Sequence, residues 1–276
     1  MGAMTVIDGS TLEGVSATTL WTLHNRGTEA KRSDGVIRDP WAVTLLDSID
    51  YDYLKFGKPN QSHGLRAGAF DAAAREYLSA HPKAAVVALA EGLQSSFWRL
   101  ERAGVADELT WYSIDLPPVM ELRRQLLPHD DRIVELAQSA LDRSWMDRVD
   151  SSHGTFITAE GLLMYLEPDD ALGLIRDCAV RFPGGRMMFD SIPRLFSQRT
   201  LTGLKLSDRY VTPPMPFSLS ADDALALAGT VPGVRAARDL SLPPGRGLWR
   251  LAGCKPLDHI GFVRRNRPSI TLLEFA

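Results

Sequence analysis

Short apolar runs alternate with amphipathic segments through the middle of the chain. The run at 84–89 has Val86 and Val87 at its centre and is followed by a glycine-bearing turn and an amphipathic segment at about 95–103. This is the pattern of a buried parallel strand that leads into a helix. Further strands are predicted at 109–116, 132–141 and 186–192, and within 154–166 a strand runs into a turn at Glu160–Gly161. Helices are predicted at 117–127 and 167–182, with a short one at 145–149. The repetition predicts an α/β fold with a Rossmann-like, doubly wound, mostly parallel sheet.

Both flanks of this repeating region differ from it. Up to about residue 65 the pattern is helical, with Asp39 as a predicted N-cap and Pro40 in the first helical position. Residues of about 193–233 interrupt the repetition and are expected to form an inserted cap or lid. The runs at 246–254 and 268–276 are expected to pair antiparallel at the sheet edge. We therefore expect one domain over 1–276.

The charge balance disfavours a polyanionic partner. The 276 residues carry a formal net charge of -3. We therefore do not expect nucleic acid or an anionic membrane surface as the partner, and we expect a small-molecule substrate. The paired arginines are interpreted as solvated faces rather than phosphate sites. These pairs are Arg123–Arg124 and Arg264–Arg265.

Cysteine content and hydropathy favour a cytoplasmic protein. Cys178 and Cys254 are too few for a disulfide framework and are expected to be reduced and buried. His129 and His259 offer no metal-ligand spacing, so no metal is expected. No apolar run approaches the ~20 residues that span a bilayer, and the first residues lack the pattern of a signal peptide.

The turn after the first predicted strand is the expected ligand site. In open α/β sheets small molecules bind outside the carboxyl ends of the strands, and Gly92 allows a close approach of the backbone to a nucleotide-like ligand. An NAD-dependent oxidoreductase is disfavoured, because no GxGxxG follows the strand.

Four motifs occur in order along the chain: NRGTEAKRSDGVIRDPWA, LAEGLQSSFWRL, YSIDLPPVMELRRQLL and AEGLLMYL. Together they resemble the leucine carboxyl methyltransferase-like family of S-adenosylmethionine-dependent O-methyltransferases, which includes bacterial polyketide O-methyltransferases. The resemblance covers roughly residues 18–192. It implies S-adenosyl-L-methionine as cofactor and methyl transfer to a carboxylate or hydroxyl of a small, hydrophobic metabolite.

The resemblance implies roles for residues at the strand ends. Asp115 corresponds to the acidic residue that accepts hydrogen bonds from the cofactor ribose hydroxyls, although it could instead cap the following helix. Gly92 would meet the methionine part of the cofactor. Glu160 corresponds to the acidic residue that pairs with the cofactor ammonium.

Further roles follow from the same resemblance. Arg66 corresponds to the arginine that grips the cofactor carboxylate, and a guanidinium can do this bidentately. Arg26 is a candidate for a second positive charge there, with a surface arginine paired with Glu29 or Asp39 as the alternative. Leu141 corresponds to the position that flanks the adenine ring.

The sequence also departs from the family pattern. Ala90 replaces the first glycine of the turn, Gln94 and Ser95 replace Asp-Thr, and Ala140 replaces an acidic residue. A methyl group at Ala90 would crowd a backbone at positive φ, and Ala140 removes an acceptor for the adenine amine. The alternative function is therefore a degenerate member with weakened cofactor binding and a non-catalytic binding role.

The acceptor decides whether a base is needed. A carboxylate is ionised at neutral pH and needs only alignment and exclusion of water, whereas a hydroxyl benefits from a general base. The catalytic residue itself is not identified. Candidates for a base are His63, His153 and Tyr165. Aromatic and methionine residues of the cap suit a hydrophobic acceptor or simply attach the cap to the core: Phe196, Tyr210, Met215 and Phe217.

Overall fold

The computed structural model describes residues 6–251 and 261–276. The first part of the chain is mainly helical, with two short paired strands. In chain order its elements are β1 (Ile7–Asp8), α1 (Thr18–Ala30), α2 (Pro40–Ser48), β2 (Ile49–Asp50) and α3 (Ser62–Ala80). Asp39 caps α2 by accepting a hydrogen bond from the Ala42 amide at 2.9 Å, and Pro40 occupies the first turn. The predicted N-cap and N1 residues are thereby confirmed.

Strands and helices then alternate as predicted. In chain order these elements are β3 (Ala85–Leu89), α4 (Ser96–Arg102), β4 (Thr110–Asp115), α5 (Pro117–Leu126), β5 (Ile133–Ala137), β6 (Thr155–Ala159), α6 (Pro168–Arg181) and β7 (Arg186–Ser191). Short 3-10 turns lie at Arg143–Arg148 and Leu163–Tyr165. Helices α5 and α6 each begin with a proline in the first turn, where the missing N–H is not needed.

After β7 the described chain forms α7 (Arg194–Leu201), β8 (Lys205–Ser207), β9 (Tyr210–Val211), α8 (Ala221–Thr230), β10 (Val234–Leu240), α9 (Gly261–Asn266) and β11 (Ser269–Phe275). The prediction of a strand at 246–254 is wrong for its described part, because Gly247–Leu251 is a 3-10 turn. Cys254 lies outside the described residues. The antiparallel edge pair exists, but the partner of β11 is β10.

The described strands form a seven-stranded sheet in the order β10-β11-β7-β6-β3-β4-β5. Strands β5, β4, β3, β6 and β7 are parallel, and β11 is antiparallel to both β7 and β10. The chain runs outward from β3 to β5 and then crosses back to β6 and β7. This reversal next to β3 creates a crevice at the carboxyl ends of the strands, which is where open α/β sheets bind ligands.

Two hydrophobic cores lie on opposite faces of the sheet. Along β3, Val86 and Ala88 belong to one core, whereas Ala85, Val87 and Leu89 belong to the other. Successive strand residues point to opposite faces, so a strand covered on both sides must be apolar at every position. The apolar run that marked this strand in the sequence is explained by that double burial.

The segment expected to form a cap, 193–233, has two parts. Helix α7 carries Phe196 at the crevice, and the β8–β9 hairpin contacts the turn at Tyr53–Phe56. Helix α8 instead packs against β10 and β11 of the main sheet. Ser220 and Asp223 form a capping box at the start of α8.

Candidate functional site

A cleft of about 500 Å³ opens at the carboxyl ends of β3, β4, β6 and β7. We call this cavity the cleft. Residues of all four strand ends line it, together with the start of α1 and residues of α3 and α7. The predicted residues Arg66, Gly92, Asp115, Leu141 and Glu160 all line it. The structure therefore brings five of the six predicted site residues together.

Asp115 ends β4 with its carboxylate held by two backbone amides. Gly92 N donates to Oδ2 at 2.6 Å, and Leu116 N donates to Oδ1 at 2.7 Å. Burial raises the pKa of Asp115, although both amides lower it. The alternative role as a helix cap is wrong, because no side chain caps α5 and its N-cap residue is Leu116. The carboxylate is instead fixed in the cleft, with lone pairs left to accept further hydrogen bonds.

The turn after β3 has an unusual backbone. Ala90 has φ +49° and Gly92 has φ +61°, so the expectation that an alanine methyl meets a positive φ is confirmed. A Cβ at Gly92 would lie 2.5 Å from Thr19 Oγ1, and that hydroxyl accepts a hydrogen bond from Leu93 N at 2.7 Å. Glycine at 92 thus allows the start of α1 to close over the turn.

Arg66, Glu160 and Asp190 form an ion-pair group in the cleft. Arg66 Nε donates to Glu160 Oε1 at 2.9 Å, and Nη1 donates to Asp190 Oδ2 at 2.8 Å. Gly161 N donates to Asp190 Oδ1 at 2.6 Å, and Gln94 Nε2 donates to Glu160 Oε1 at 2.8 Å. We call Arg66, Glu160 and Asp190 the cleft cluster.

The electrostatics of the cleft cluster are unbalanced. Burial raises the pKa of Glu160, and the nearby Asp190 raises it further, while Arg66 lowers it. Burial alone would lower the pKa of Arg66, but Asp190 and Glu160 raise it. One arginine faces two carboxylates, so the group favours an additional positive charge.

Asp190 was not identified from the sequence. It lies near the end of β7, in a run that reads as a buried strand, and it is 7% exposed. The available signal was the same one that identified Asp115, an acidic residue at the carboxyl end of a parallel strand.

Leu141 and Ala140 lie in the turn after β5. The Ala140 carbonyl accepts hydrogen bonds from Trp145 Nε1 and Arg143 Nη1, each at 3.1 Å. Leu141 N donates to Ser139 Oγ at 3.1 Å. The turn is thus held by its own neighbours and presents Leu141 to the cleft.

Arg26 does not line the cleft among the described residues. It is fully buried, donates from Nε to Asp39 at 3.0 Å and from Nη2 to the Leu93 carbonyl at 2.6 Å. The alternative pairing with Asp39 is confirmed, although the arginine is buried rather than on a helix surface. Arg26 therefore supports the 90–95 turn from behind.

Arg26 belongs to a larger buried group behind the turn. Arg99 donates to Asp39 and bidentately to Asp71 at 2.6–2.9 Å. Ser95 Oγ lies 2.7 Å from both Asp39 carboxylate oxygens. Burial alone would raise the pKa of Asp39, but Arg99 and Arg26 lower it to about 2. We call Arg26, Asp39, Asp71 and Arg99 the rear cluster.

The prediction that Arg123 lies on a solvated face is wrong. Arg123 is 2% exposed and donates from Nη1 to the carbonyls of Gly92 and Gln94 at 2.7 and 2.9 Å. Its Nη2 pairs with Glu91 at 2.9 Å. Helical spacing from the apolar residues at 119 and 120 would have placed it on the buried face of α5. Arg124 is more exposed and pairs with Glu135.

The three base candidates are in different surroundings. His63 and Tyr165 line the cleft, but His153 is exposed and lies before β6, at the opposite end of the strand. His153 is therefore wrong as a cleft residue. Burial raises the pKa of Tyr165 to about 12. Burial and the charges of Arg66 and Arg26 hold the pKa of His63 well below its ordinary value.

The rest of the cleft wall is largely apolar. Of the cap residues expected to suit a hydrophobic acceptor, Phe196 and Met215 line the cleft. Tyr210 instead packs against Phe56 with ring centroids 4.7 Å apart, and Phe217 is buried in the core beneath α8. Half of that expected set therefore contacts the cleft.

The described residues contain neither a membrane-spanning helix nor a metal-binding group. Within 6–251 and 261–276, no helix has the length and apolar character needed to cross a membrane. Over the same residues, histidine, cysteine and carboxylate side chains form no group suited to a metal ion. His259 lies outside those residues, and Cys178 is buried as a free thiol.

Comparison with known proteins identifies the family. The tetracenomycin polyketide synthesis O-methyltransferase TcmP of Streptomyces glaucescens is 29% identical over 265 residues, which are 92% of this chain and 96% of that protein. A putative S-adenosyl-L-methionine-dependent methyltransferase of Mycobacteroides abscessus is 32% identical over 211 residues, 65% of this chain and 67% of that one.

A solved structure supports the fold. The crystal structure of a putative methyltransferase from Thermobifida fusca aligns with a TM-score of 0.51 at 17% identity, over 85% of this chain and 88% of that one.

The sequence model of the leucine carboxyl methyltransferase family matches residues 19–179, more than half of the chain. The chain therefore belongs to the leucine carboxyl methyltransferase family and is an S-adenosylmethionine-dependent O-methyltransferase.

Proposed function

We propose that this enzyme transfers the methyl group to a carboxylate of a small, hydrophobic metabolite. The observation that carries the proposal is the cleft itself, where acidic side chains adjoin an apolar wall. Asp115, Glu160 and Asp190 line it with Arg66, while Glu91 is neutralised by Arg123. S-adenosylmethionine has a sulfonium, an ammonium and one carboxylate, so its net positive charge complements this acidic surface.

Each part of the cofactor has a suitable side chain in the cleft. Asp115 would accept hydrogen bonds from the ribose hydroxyls, because its orientation is fixed by two amides. Glu160 would pair with the ammonium and Arg66 with the carboxylate, while Leu141 would flank the adenine and Gly92 would allow close approach. When bound, the cofactor supplies an electrophilic methyl group on a sulfonium.

Binding would rearrange the cleft cluster. Arg66 and Glu160 now pair with each other, whereas their proposed roles direct them to opposite ends of the same amino-acid group. Asp190 keeps Arg66 paired and in place when Glu160 turns to the ammonium. Arg26, behind the turn, is assigned a supporting role rather than a direct one.

The residues of this chain favour a carboxylate over a hydroxyl as acceptor. Removing a phenol proton requires a base near neutral pKa. Tyr165 has its pKa raised to about 12, and His63 has its pKa held low. A carboxylate arrives ionised, so the chain needs only to align it and to exclude water. The apolar wall that includes Phe196 and Met215 performs both tasks.

A second candidate is a degenerate member that binds the cofactor weakly. One observation favours it: Arg66 and Glu160 satisfy each other, so the cofactor must compete with an existing ion pair. Of the four departures from the family pattern, Gln94 and Ser95 have hydrogen-bond partners in the clusters, and Ala90 retains a strained backbone.

Calorimetric titration with S-adenosylmethionine tests the proposed site. Saturable heat is expected for the wild type, and Asp115→Ala is expected to bind about 10- to 100-fold more weakly because a charge-assisted pair of hydrogen bonds is lost. His153→Gln, an exposed change before β6 at the opposite end of the strands, is the matched control and should bind as the wild type does. No heat at millimolar cofactor would overturn the proposed function. Binding without methylation across a panel of carboxylates and phenols would favour the degenerate candidate.

A further inference from the structure

His63 lines the cleft but is not used by the cofactor roles proposed above. It is the second residue of α3, and its ring packs edge-on against Trp21 with centroids 5.2 Å apart and an interplanar angle of 73°. Trp21 also lines the cleft. The imidazole is therefore held at a wall of the cleft by an aromatic neighbour from α1.

One ring nitrogen of His63 is already occupied. Asn25 Nδ2 lies 2.9 Å from His63 Nδ1. The orientation of the Asn25 amide is fixed, because its Oδ1 accepts the backbone N–H of Asn60 at 2.8 Å. The nitrogen facing His63 is consequently the donor, and Nδ1 must accept.

This arrangement determines where the proton of the neutral ring sits. A neutral imidazole carries one N–H, and Nδ1 is the acceptor, so the proton is on Nε2. Protonation of Nδ1 would set two donors against each other. The charges of Arg66 and Arg26 act in the same direction by opposing a cationic ring. The described residues provide no hydrogen-bond acceptor for Nε2.

We propose that the Nε2–H group of His63 donates a hydrogen bond to the acceptor carboxylate, an inference that rests on the proposed function. The group binds one carboxylate oxygen while the other is free to attack. In the transfer, the carboxylate oxygen forms a bond to the methyl carbon, the sulfur–carbon bond breaks with its electron pair left on sulfur, and no proton moves. His63 is thus a substrate-orienting donor and not the general base.

The tautomer is tested by nitrogen-15 NMR of histidine-labelled protein with S-adenosylhomocysteine bound. The His63 signal is identified by its loss in His63→Gln. The Nε2–H tautomer is expected for the wild type between about pH 6 and 8. Asn25→Asp should move the proton to Nδ1, because a carboxylate accepts where the amide donated. A wild-type Nδ1–H tautomer or a cationic ring would overturn the proposal.

The contact with the acceptor is tested by adding 1-naphthoate, with naphthalene as the neutral probe of the same shape. The proton on His63 Nε2 is expected to shift downfield with 1-naphthoate and not with naphthalene. His63→Leu should weaken 1-naphthoate binding about tenfold, while His63→Gln, which keeps a donor near the Nε2 position, should recover most of it. His153→Gln serves as the unaffected control.

The outcomes separate this proposal from the proposed function. If S-adenosylhomocysteine binds and the Nε2 proton does not respond to 1-naphthoate, the role of His63 is wrong and the methyl transfer stands. If S-adenosylhomocysteine gives no calorimetric heat, the proposed function is wrong, and the role of His63 in it is lost as well. Equal weakening of S-adenosylhomocysteine and 1-naphthoate in His63→Leu would indicate a structural role and overturn the proposal.

Discussion

The rear cluster and the cleft cluster lie on either side of the same turn and differ in balance. In the rear cluster two arginines meet two aspartates, and no side chain in its ion pairs is more than 12% exposed. In the cleft cluster one arginine meets two carboxylates, and Arg66 is 16% exposed. Gln94 donates to Glu160 of the cleft cluster and accepts from Arg99 of the rear cluster at 3.4 and 3.5 Å, while Ser95 contacts Asp39 of the rear cluster.

The difference shows how buried charge can serve two purposes. A buried group whose charges sum to zero has no remaining demand for a charged ligand, even though Arg26 Nη1 has no hydrogen-bond partner. Removing one member leaves a charge without a partner in a medium of low polarity. A group with one carboxylate in excess, open to a cavity, is completed by an incoming cation. We therefore expect changes in the rear cluster to affect stability and changes in the cleft cluster to affect cofactor affinity.

The largest effect is expected for Asp39→Ala. The change leaves Arg26 and Arg99 without their shared carboxylate and removes the N-cap of α2. Breaking a buried pair by removing one partner costs about 3–5 kcal/mol in the free energy of unfolding. Urea denaturation followed by circular dichroism measures it.

Asp47→Ala is the matched control, because Asp47 lies in the same helix and pairs with Lys31 at the exposed surface. The free energy of unfolding should stay within about 0.5 kcal/mol of the wild-type value. If Asp39→Ala were equally mild, the rear cluster would not be the stabilising group that its burial indicates.

The next effect is expected for Glu160→Gln, which keeps the shape and a hydrogen-bonding oxygen for Arg66 but removes the negative charge. Loss of a charged partner for the cofactor ammonium should weaken S-adenosylmethionine binding about 10- to 100-fold. Stability should change little, because Asp190 still pairs with Arg66. Calorimetry and urea denaturation of the same protein give both values. A large loss of stability with unchanged affinity would reverse the assignment of the two clusters.

A third, smaller effect is the opposite response of the clusters to pH. The pKa of Asp39 in the folded chain is about 2, below its ordinary 3.8. A depressed pKa contributes stability above the ordinary pKa that is lost as the pH falls through the folded value, here about 2 kcal/mol between about pH 4 and 2. Burial raises the pKa of Glu160 in the cleft cluster, so its contribution to stability decreases as the pH rises above its ordinary pKa. Asp115, which also lines the cleft, has a raised pKa for the same reason and acts in the same direction.

Urea denaturation at a series of pH values between about 2 and 7 separates these contributions. Asp39→Asn should reduce the loss of unfolding free energy between about pH 4 and 2. Glu160→Gln should reduce the decrease in unfolding free energy that occurs as the pH rises above the ordinary pKa of a glutamate. An unchanged acid limb in Asp39→Asn would show that other carboxylates account for acid unfolding.

The sequence predicted the buried strands and their carboxyl ends, because these depend on short-range patterns of apolar and polar residues. A strand buried on both faces must be apolar throughout, and acidic or glycine residues at its carboxyl end must meet those of neighbouring strands. That reasoning placed Gly92 at the expected site, the family resemblance added Asp115 and Glu160, and all three line the cleft. It failed for the edge strand β10, VRAARDL, since an edge strand exposed to solvent is rich in charge and lacks the apolar run that 246–254 has.

Charge pairing between distant residues could not be predicted in the same way. The Arg26–Asp39 pair, 13 residues apart, was one of the predicted alternatives. Arg99 reaches Asp39 across 60 residues and Arg66 reaches Asp190 across 124, so these partners depend on the tertiary fold. Arg123 is the instructive exception. Its helical spacing from the apolar residues at 119 and 120 indicates a buried position, whereas the prediction of a solvated face was based on its charge.

The smallest effect on the free energy of unfolding is expected at Ala90, in the turn between the two clusters. Ala90 has φ +49°, which costs a non-glycine residue about 1–2 kcal/mol, while a glycine there gains flexibility when unfolded. Ala90→Gly should therefore raise the free energy of unfolding by up to about 1 kcal/mol in urea denaturation. If cofactor affinity rises too, the strain at Ala90 opposes binding and the degenerate candidate gains support. If stability alone rises, the two clusters hold the turn in its binding conformation whichever residue occupies position 90.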